Sequence, residues 1–539
     1  MNEFDYGGKP SIYQVDETFR REVYLNGFDD TRLIVKKTKI LMITDGAHFT
    51  DGASFHLSEV IKAILSDLPL FIQIDITKAS YGSYSASGED INIADFSKHN
   101  LSQYDQIWFI AVSRKTANPL SGKEVQAVYD FMQNGGGVFA TGDHEDLGAS
   151  MCGQIPRVRS MRRWWWPGPG PNGEPEAPPQ VGSGKHDTLI GGETNGVPQT
   201  ITPKYYTAPH AHAYLQRKYP HPVLCGPTGV ITVLPDHMHE GCIEVPPLNK
   251  NIPVNGKDVV EYPKSHGRIV APEVIATATN HENNAQFGVI GAYDGHKVFE
   301  PRSLKNGVGR IIVDATWHHF FNYNVKQFSN GFDNVKTAMA NGTQPTAADL
   351  VLAEHYRPMR AYFQNIALWL GRNENTNAVN RRSLWYVRWH SNIQMAVLDD
   401  SLLNQIDNPF WYYYDLGTKA RDALNRVASQ CETLQYILSV IAKSPLYPRL
   451  YPWNELTEDE QKFDQQGVSM ADSEILETLI LGGAMHAIAN TFKDEMNEKM
   501  LDGGEFEDVA HKGAMTALDH LTQSMEEDCR KLGELILGK

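Results

Sequence analysis

The chain has 539 residues, 41% of them hydrophobic and 21% charged, and a formal net charge of −16. At roughly 150 residues per domain, that length predicts two to four domains with cores large enough to need no disulfides. The composition excludes fibrous and disordered classes, the lack of an apolar run of about 18 residues excludes a membrane-spanning helix, and the acidic balance argues against bulk nucleic-acid binding.

Residues 1–36 are polar and mixed, an N-terminal segment. An apolar run then predicts a buried strand over 39–44, followed by Asp45-Gly46-Ala47-His48. Phe55, Val60, Ile61 and Ile64 give helical spacing over 54–66. Strands are predicted over 71–76 and 106–112. Ser121 caps a helix reaching 134, with Val125, Val128, Phe131 and Met132 as its apolar stripe. Gly135-Gly136-Gly137 stops it, and a short strand over 138–141 ends in Gly142-Asp143-His144-Glu145-Asp146. Strand, helix and strand at this spacing imply a parallel, right-handed crossover. Residues 167–179 are a Pro/Gly-rich loop, preceded by Arg162-Arg163-Trp164-Trp165-Trp166. Further strands are predicted over 229–234, 273–279, 288–292 and 310–315. The alternation predicts an open, mostly parallel α/β sheet domain over 37–330.

Beyond 331 the period changes. Helices are predicted over 347–370, 381–398, 416–442, 469–492 and 506–537, forming an α-helical C-terminal domain over 331–539. That part carries 19 Lys and Arg against 30 Asp and Glu; residues 1–330 carry 30 against 35. Gly482-Gly483 within a helical pattern suits close helix approach. Trp385, Trp389 and Trp411 predict helix packing or a seam on the sheet domain, and the surplus of large aromatics predicts a homo-oligomer, by default a dimer.

The five cysteines, Cys152, Cys225, Cys242, Cys431 and Cys529, are odd in number and widely spaced, with no Cys-x-x-Cys. The start has neither a basic nor an apolar leader segment. Together these predict a reduced, cytoplasmic protein.

The strand ending Thr44-Asp45-Gly46, the Tyr104-Asp105 lead into the strand at 107–112, the glycine stop at 135–137 and the segment 307–316 carry a resemblance. They resemble the class I glutamine-amidotransferase-like fold, and most closely its trehalose-utilisation-protein-like branch. The resemblance covers 37–330, with insertions around 155–205 and 240–270. Amidotransferases of this class place a nucleophilic Cys at the turn after the strand that here is 138–141. This chain has Gly142-Asp143 there, and Cys152 lies about ten residues later, so glutamine hydrolysis is not implied. The fold hosts many activities.

In an open α/β sheet, ligands sit beyond the carboxyl ends of the strands. If all six strands run parallel, six strand ends bring His or carboxylate to one edge: Asp45 and His48; Asp143, His144, Glu145 and Asp146; Asp236, His237, His239 and Glu240; His281 and Glu282; Asp294 and His296; Asp314, His318 and His319. Asp143 and Glu145 are candidate general bases, and His144 a candidate acid. His237, His239, His318 and Asp143 are candidate ligands for a divalent transition metal such as Zn or Mn. The bland readings are a metal-free polar pocket and simple helix capping by Asp143 or Asp146. Asp45, His48, Arg157, Arg159, Arg162 and Trp164 are candidate substrate contacts, the arginines and tryptophans forming a lid for a phosphate, carboxylate or sugar. A subunit interface is the other reading of that cluster. No P-loop, His-Glu-x-x-His or Gly-x-Ser-x-Gly motif occurs. Two function classes follow. One is a hydrolase-type enzyme acting on a small polar or carbohydrate-like substrate. The other is a non-catalytic binding or assembly protein.

Overall fold

The computed structural model describes residues 37–68, 72–114, 117–163, 198–207, 217–226, 229–235, 241–248, 251–265, 267–280, 284–298, 307–426, 428–444, 446–453, 473–493 and 504–538. The centre is an 11-stranded sheet. β1 (Thr38–Thr44) is buried except at Lys39, as expected of a strand covered on both faces. It pairs in parallel with β2 (Ile74–Tyr81) and with β4 (Gln106–Ile110). β3 (Ile91–Ile93) extends the sheet beyond β2, and β5 (Gly137–Thr141) beyond β4, both in parallel.

Later segments complete the sheet: β6 (Arg162–Arg163), β7 (Thr202–Pro203), β8 (Cys242–Ile243), β9 (Glu273–Thr279), β10 (Gln286–Tyr293) and β11 (Ile311–Asp314). β11 lies parallel beside β5. The order is β3-β2-β1-β4-β5-β11-β10-β8-β6, with β9 pairing with β10 and β7. The first six strands in that order are parallel, and the rest of the sheet is antiparallel.

This arrangement corrects the expectation of six parallel strand ends at one edge. β10 runs antiparallel to β11, so Asp294 and His296 leave it at the opposite edge. The run at 229–234 forms only short two-stranded ladders outside the sheet. The second strand also lies later than expected, at 74–81 instead of 71–76, because its register on β1 runs from Thr38↔Ile74 to Thr44↔Ser80.

α1 (Ser58–Leu65) follows β1, and α2 (Gly122–Gln133) joins β4 to β5. The right-handed crossovers from β1 to β2 and from β4 to β5 run in opposite directions, which places these helices on opposite faces. Ser121 and Glu124 close a capping box at the start of α2. Glu124 also accepts the Tyr81 hydroxyl at 3.0 Å, tying α2 to β2. Two short helices, α3 (Ala149–Cys152) and α4 (Val158–Met161), follow β5.

From 322 onward the described residues form helices and connecting turns, with no strand among them. α5 (Asn322–Ala340) has no counterpart in the sequence reading. Its Val325, Phe328, Phe332 and Val335, three or four residues apart, are buried against the sheet's core together with α6 (Ala347–Trp369). A second buried cluster gathers α7 (Asn373–Val387), α8 (Phe410–Leu424), α9 (Gln430–Val440), α10 (Ser473–Thr491) and the start of α11 (Gly504–Leu537). The expected single helix over 416–442 is two helices, because Ser429 and Glu432 form a capping box that starts α9 afresh. Gly482 lies against the Tyr413 carbonyl of α8, and Gly483 against the Gly513 carbonyl of α11. The glycine pair therefore does permit close helix approach.

Cys225 and Cys431, 206 residues apart in sequence, form a disulfide between the 217–226 segment and α9. This corrects the expectation that all five thiols are reduced. Neither cysteine has a local spacing that marks a partner, and only the fold brings them together. No described helix is long and apolar enough to cross a membrane.

Candidate functional site

The loop after β5 turns sharply. Asp143 N–H donates to the Leu147 carbonyl at 3.0 Å. Glu145 and Gly148 both have positive φ, 54° and 91°. At Gly148 a Cβ would strike the Gly142 Cα and the Ala111 carbonyl, so the loop closes only with glycine there. Arg114, from the end of β4, pairs with Glu145 at 2.9 Å and with Asp146 at 2.5 Å. These pairs pin the outer side of the loop.

Asp143 points inward and is only 2% exposed. Its Oδ2 lies 3.0 Å from His144 Nδ1 and 3.7 Å from His318 Nε2. Its Oδ1 accepts the Thr316 hydroxyl at 3.1 Å. Burial works against its charge. The His144 hydrogen bond and the nearby charges of His318, His144 and Arg162 nevertheless hold its carboxyl below the ordinary range.

The 314–319 segment supplies the other half of the site. Asp314 Oδ1 accepts Thr316 N–H at 3.1 Å, and Thr316 Oγ1 accepts His318 N–H at 3.1 Å. Behind these, fully buried Asp314 meets His319 Nδ1 at 2.7 Å and accepts the Tyr362 hydroxyl at 2.6 Å. His319 Nε2 reaches Gln199 Oε1 at 2.7 Å. His318 Nδ1 lies 3.2 Å from Asn324 Oδ1. At the mouth, the exposed ring of Phe55 stands 6.3 Å from the His318 ring.

Asp143, His144 and His318 thus come together at the carboxyl edge of β5 and β11. The other expected site residues are placed elsewhere or have other partners. Glu145 is paired with Arg114. Asp45 accepts Val112 N–H at 2.6 Å, Ser113 N–H at 3.2 Å and the Ser150 hydroxyl at 2.6 Å, knitting the ends of β1 and β4 to α3. His48 accepts Ser87 N–H at 3.0 Å, and its ring lies tilted against those of His56 and Tyr84. His319 is buried in the Asp314 network. Trp164, the 167–179 loop, His237, His239, His281 and Glu282 lie outside the described residues.

The arginine cluster does not act as one lid. The Arg162 guanidinium donates to the backbone carbonyls of Asp143 and Ala315, clamping the two halves of the site. Burial lowers its pKa to about 10. Arg159 pairs with Glu261 at 3.3 Å. Arg157 is buried beside Tyr129 and Tyr293. Cys152 is buried, and its thiol is pushed far up by burial and then by Asp45, which removes it as a nucleophile.

Thr316, Asn324 and Arg162's clamping role were not read from sequence, although Thr316-x-His318 has the pattern of a Thr-capped turn. Among the described residues, no group of three His, Cys, Asp or Glu side chains is arranged to hold a metal ion. Comparison with family models, curated proteins and solved structures finds no match.

Proposed function

We propose that the chain is a hydrolase-type enzyme acting on a small polar, carbohydrate-like substrate, on an amidotransferase-like scaffold that lacks the nucleophilic Cys. The observation that carries this reading is one buried carboxylate, Asp143, between two histidines at the mouth of a parallel sheet edge. Asp143 orients His144 through Nδ1, so its Nε2 becomes the nitrogen that takes a proton from water. His318 donates through Nδ1 to Asn324, and a lone pair at Nε2 would face the Asp143 carboxylate. In this proposal His318 serves as the acid that protonates the leaving group. Asp143 serves as a positioning and charge-balancing group, and Glu145 has no part in the proton transfer. Should His237 or His239 join Asp143 and His318 around a Zn or Mn ion, the metal would supply the activated water instead.

The test is a screen of chromogenic glycosides, esters and amides, with metal analysis of the same sample. Turnover that is lost in His144→Ala and Asp143→Asn proteins of unchanged fold supports the reading. Turnover retained in both variants rejects it. A stoichiometric transition metal assigns water activation to the ion, and its absence assigns that step to His144.

A second reading, an assembly protein, is favoured by one observation. Trp411 is 69% exposed, and Met525, Leu532, Leu535, Ile536 and Leu537 are exposed along the end of α11. Exposed apolar residues of this kind mark interaction surfaces. Light scattering at micromolar concentration decides it: a mass of one 60.4 kDa chain rejects a homo-oligomer.

A further inference from the structure

Arg157 follows α3 with a positive φ of 71° and begins the turn into α4. Its backbone is fully partnered. The N–H donates to Glu261 Oε1 at 2.7 Å, and the carbonyl accepts from Ser160 Oγ at 3.3 Å and from the Tyr262 hydroxyl at 3.4 Å. The Glu261 carboxylate has its own cation, Arg159.

The guanidinium is different. The residue is 0% exposed, and its Nε and both terminal nitrogens have no hydrogen-bond partner among the described residues. Tyr129 and Tyr293 flank it, with ring centroids 5.6 and 5.5 Å from Cζ. The Tyr293 hydroxyl is likewise buried, and its oxygen lies within reach of the Arg157 guanidinium. The cost of taking a guanidinium out of water has to be offset by partners around it. Two aromatic faces compensate part of that charge but accept none of the five N–H groups. The Tyr293 oxygen can accept one of these N–H groups, which leaves the rest of the planar fork, and the hydroxyl's own hydrogen, as donors without an acceptor.

We propose that Arg157, with the Tyr293 hydroxyl, forms a buried binding site for a small monoanion, chloride or a carboxylate group. The site stands apart from the Asp143 cluster. Tyr293 ends β10, opposite Ile311 at the start of β11, whereas the Asp143 cluster sits beyond Asp314 at the other end of β11. The proposal is therefore independent of the hydrolase reading.

Thermal midpoints of the full chain, measured in sodium chloride, sodium acetate and sodium gluconate at equal ionic strength, test it. The expected result is a saturable rise of about 2–5 °C in chloride or acetate over gluconate, whose carboxylate carries a long polyhydroxylated chain that a guanidinium with 0% exposure does not admit. Chloride alone producing the rise identifies a halide-sized inorganic ion; acetate producing it at lower concentration identifies a carboxylate-bearing ligand. Tyr293→Phe should raise the half-saturating concentration roughly 3–10-fold. Arg157→Met should abolish the rise. Equal midpoints in all three salts overturn the proposal, as does an undiminished rise in Arg157→Met. If that variant does not fold, the wild-type titration and Tyr293→Phe still decide.

Discussion

The Thr316 hydroxyl donates to Asp143 Oδ1 at 3.1 Å, joining the end of β11 to the loop after β5. Thr316 Oγ1 in turn accepts His318 N–H, so one side chain sets both the carboxylate and the turn that presents the second histidine. Thr316→Val keeps the shape and removes both bonds. It should cost about 1–3 kcal/mol of stability, because Asp143 and the His318 N–H are left unsatisfied. In the proposed enzyme it should lower kcat more than it changes KM, and Thr316→Ser should restore most of both losses. A denaturant titration and steady-state kinetics read these effects.

Asp143 is held below the ordinary carboxylate range despite its burial. A depressed carboxylate stabilises the fold above its unfolded pKa of about 3.9, and that contribution is lost as pH falls through the folded value. Asp143→Asn should therefore flatten the stability profile below about pH 4 relative to the native chain. It should also lower turnover by roughly 10³–10⁴-fold, the effect of misorienting a catalytic imidazole. Melting curves from pH 2 to 6, beside rates at pH 7, check both effects.

His221 is buried and His296 half-buried near the seam with the helical part, and loss of solvent lowers each to a pKa of about 3. Unfolded histidine titrates near 6.5. Between those values the unfolded chain binds more protons, so stability is full above about pH 6.5 and falls as pH drops toward 3. At pH 5 each should cost roughly 2 kcal/mol. The thermal midpoint should thus fall by several degrees between pH 7.5 and 5. His296→Asn should remove part of that fall, and an unchanged midpoint at pH 5 would contradict neutral burial of these rings.

The helical cluster depends on backbone contact at Gly483, where a Cβ would meet the Gly513 carbonyl and the Ala517 side chain. Gly483→Leu should push α10 from α11 and cost about 3 kcal/mol or more, while Gly483→Ala should cost roughly 1–3 kcal/mol. Urea unfolding followed by tryptophan fluorescence reports it, since Trp385 is buried in the same cluster.

The Cys225–Cys431 disulfide leaves Cys152, Cys242 and Cys529 free. Thiol titration of the unreduced, denatured chain should count three thiols, and five after reduction. Reduction should lower stability by about 2–5 kcal/mol. Five thiols before reduction would refute the pairing.

The local grammar of this protein was legible in its sequence. The apolar runs at 39–44 and 106–112, the Ser121-capped helix and the helical periods beyond 347 depend on neighbours a few residues away. Strand ends followed by Asp143-His144 and by His318 also pointed to the sheet edge where those residues meet. What the sequence left open was direction and partner. An apolar run at 288–292 reads the same whether its strand is parallel or antiparallel, yet the antiparallel choice carries Asp294 and His296 to the far edge. Arg157, Arg159 and Arg162 read as one basic cluster, yet each found a different environment, because side chains one turn apart face different layers. Thr316's link to Asp143 and the bond between Cys225 and Cys431 span 173 and 206 residues. Contacts at that separation leave no local period, and the packing of the sheet against its helices alone decides them.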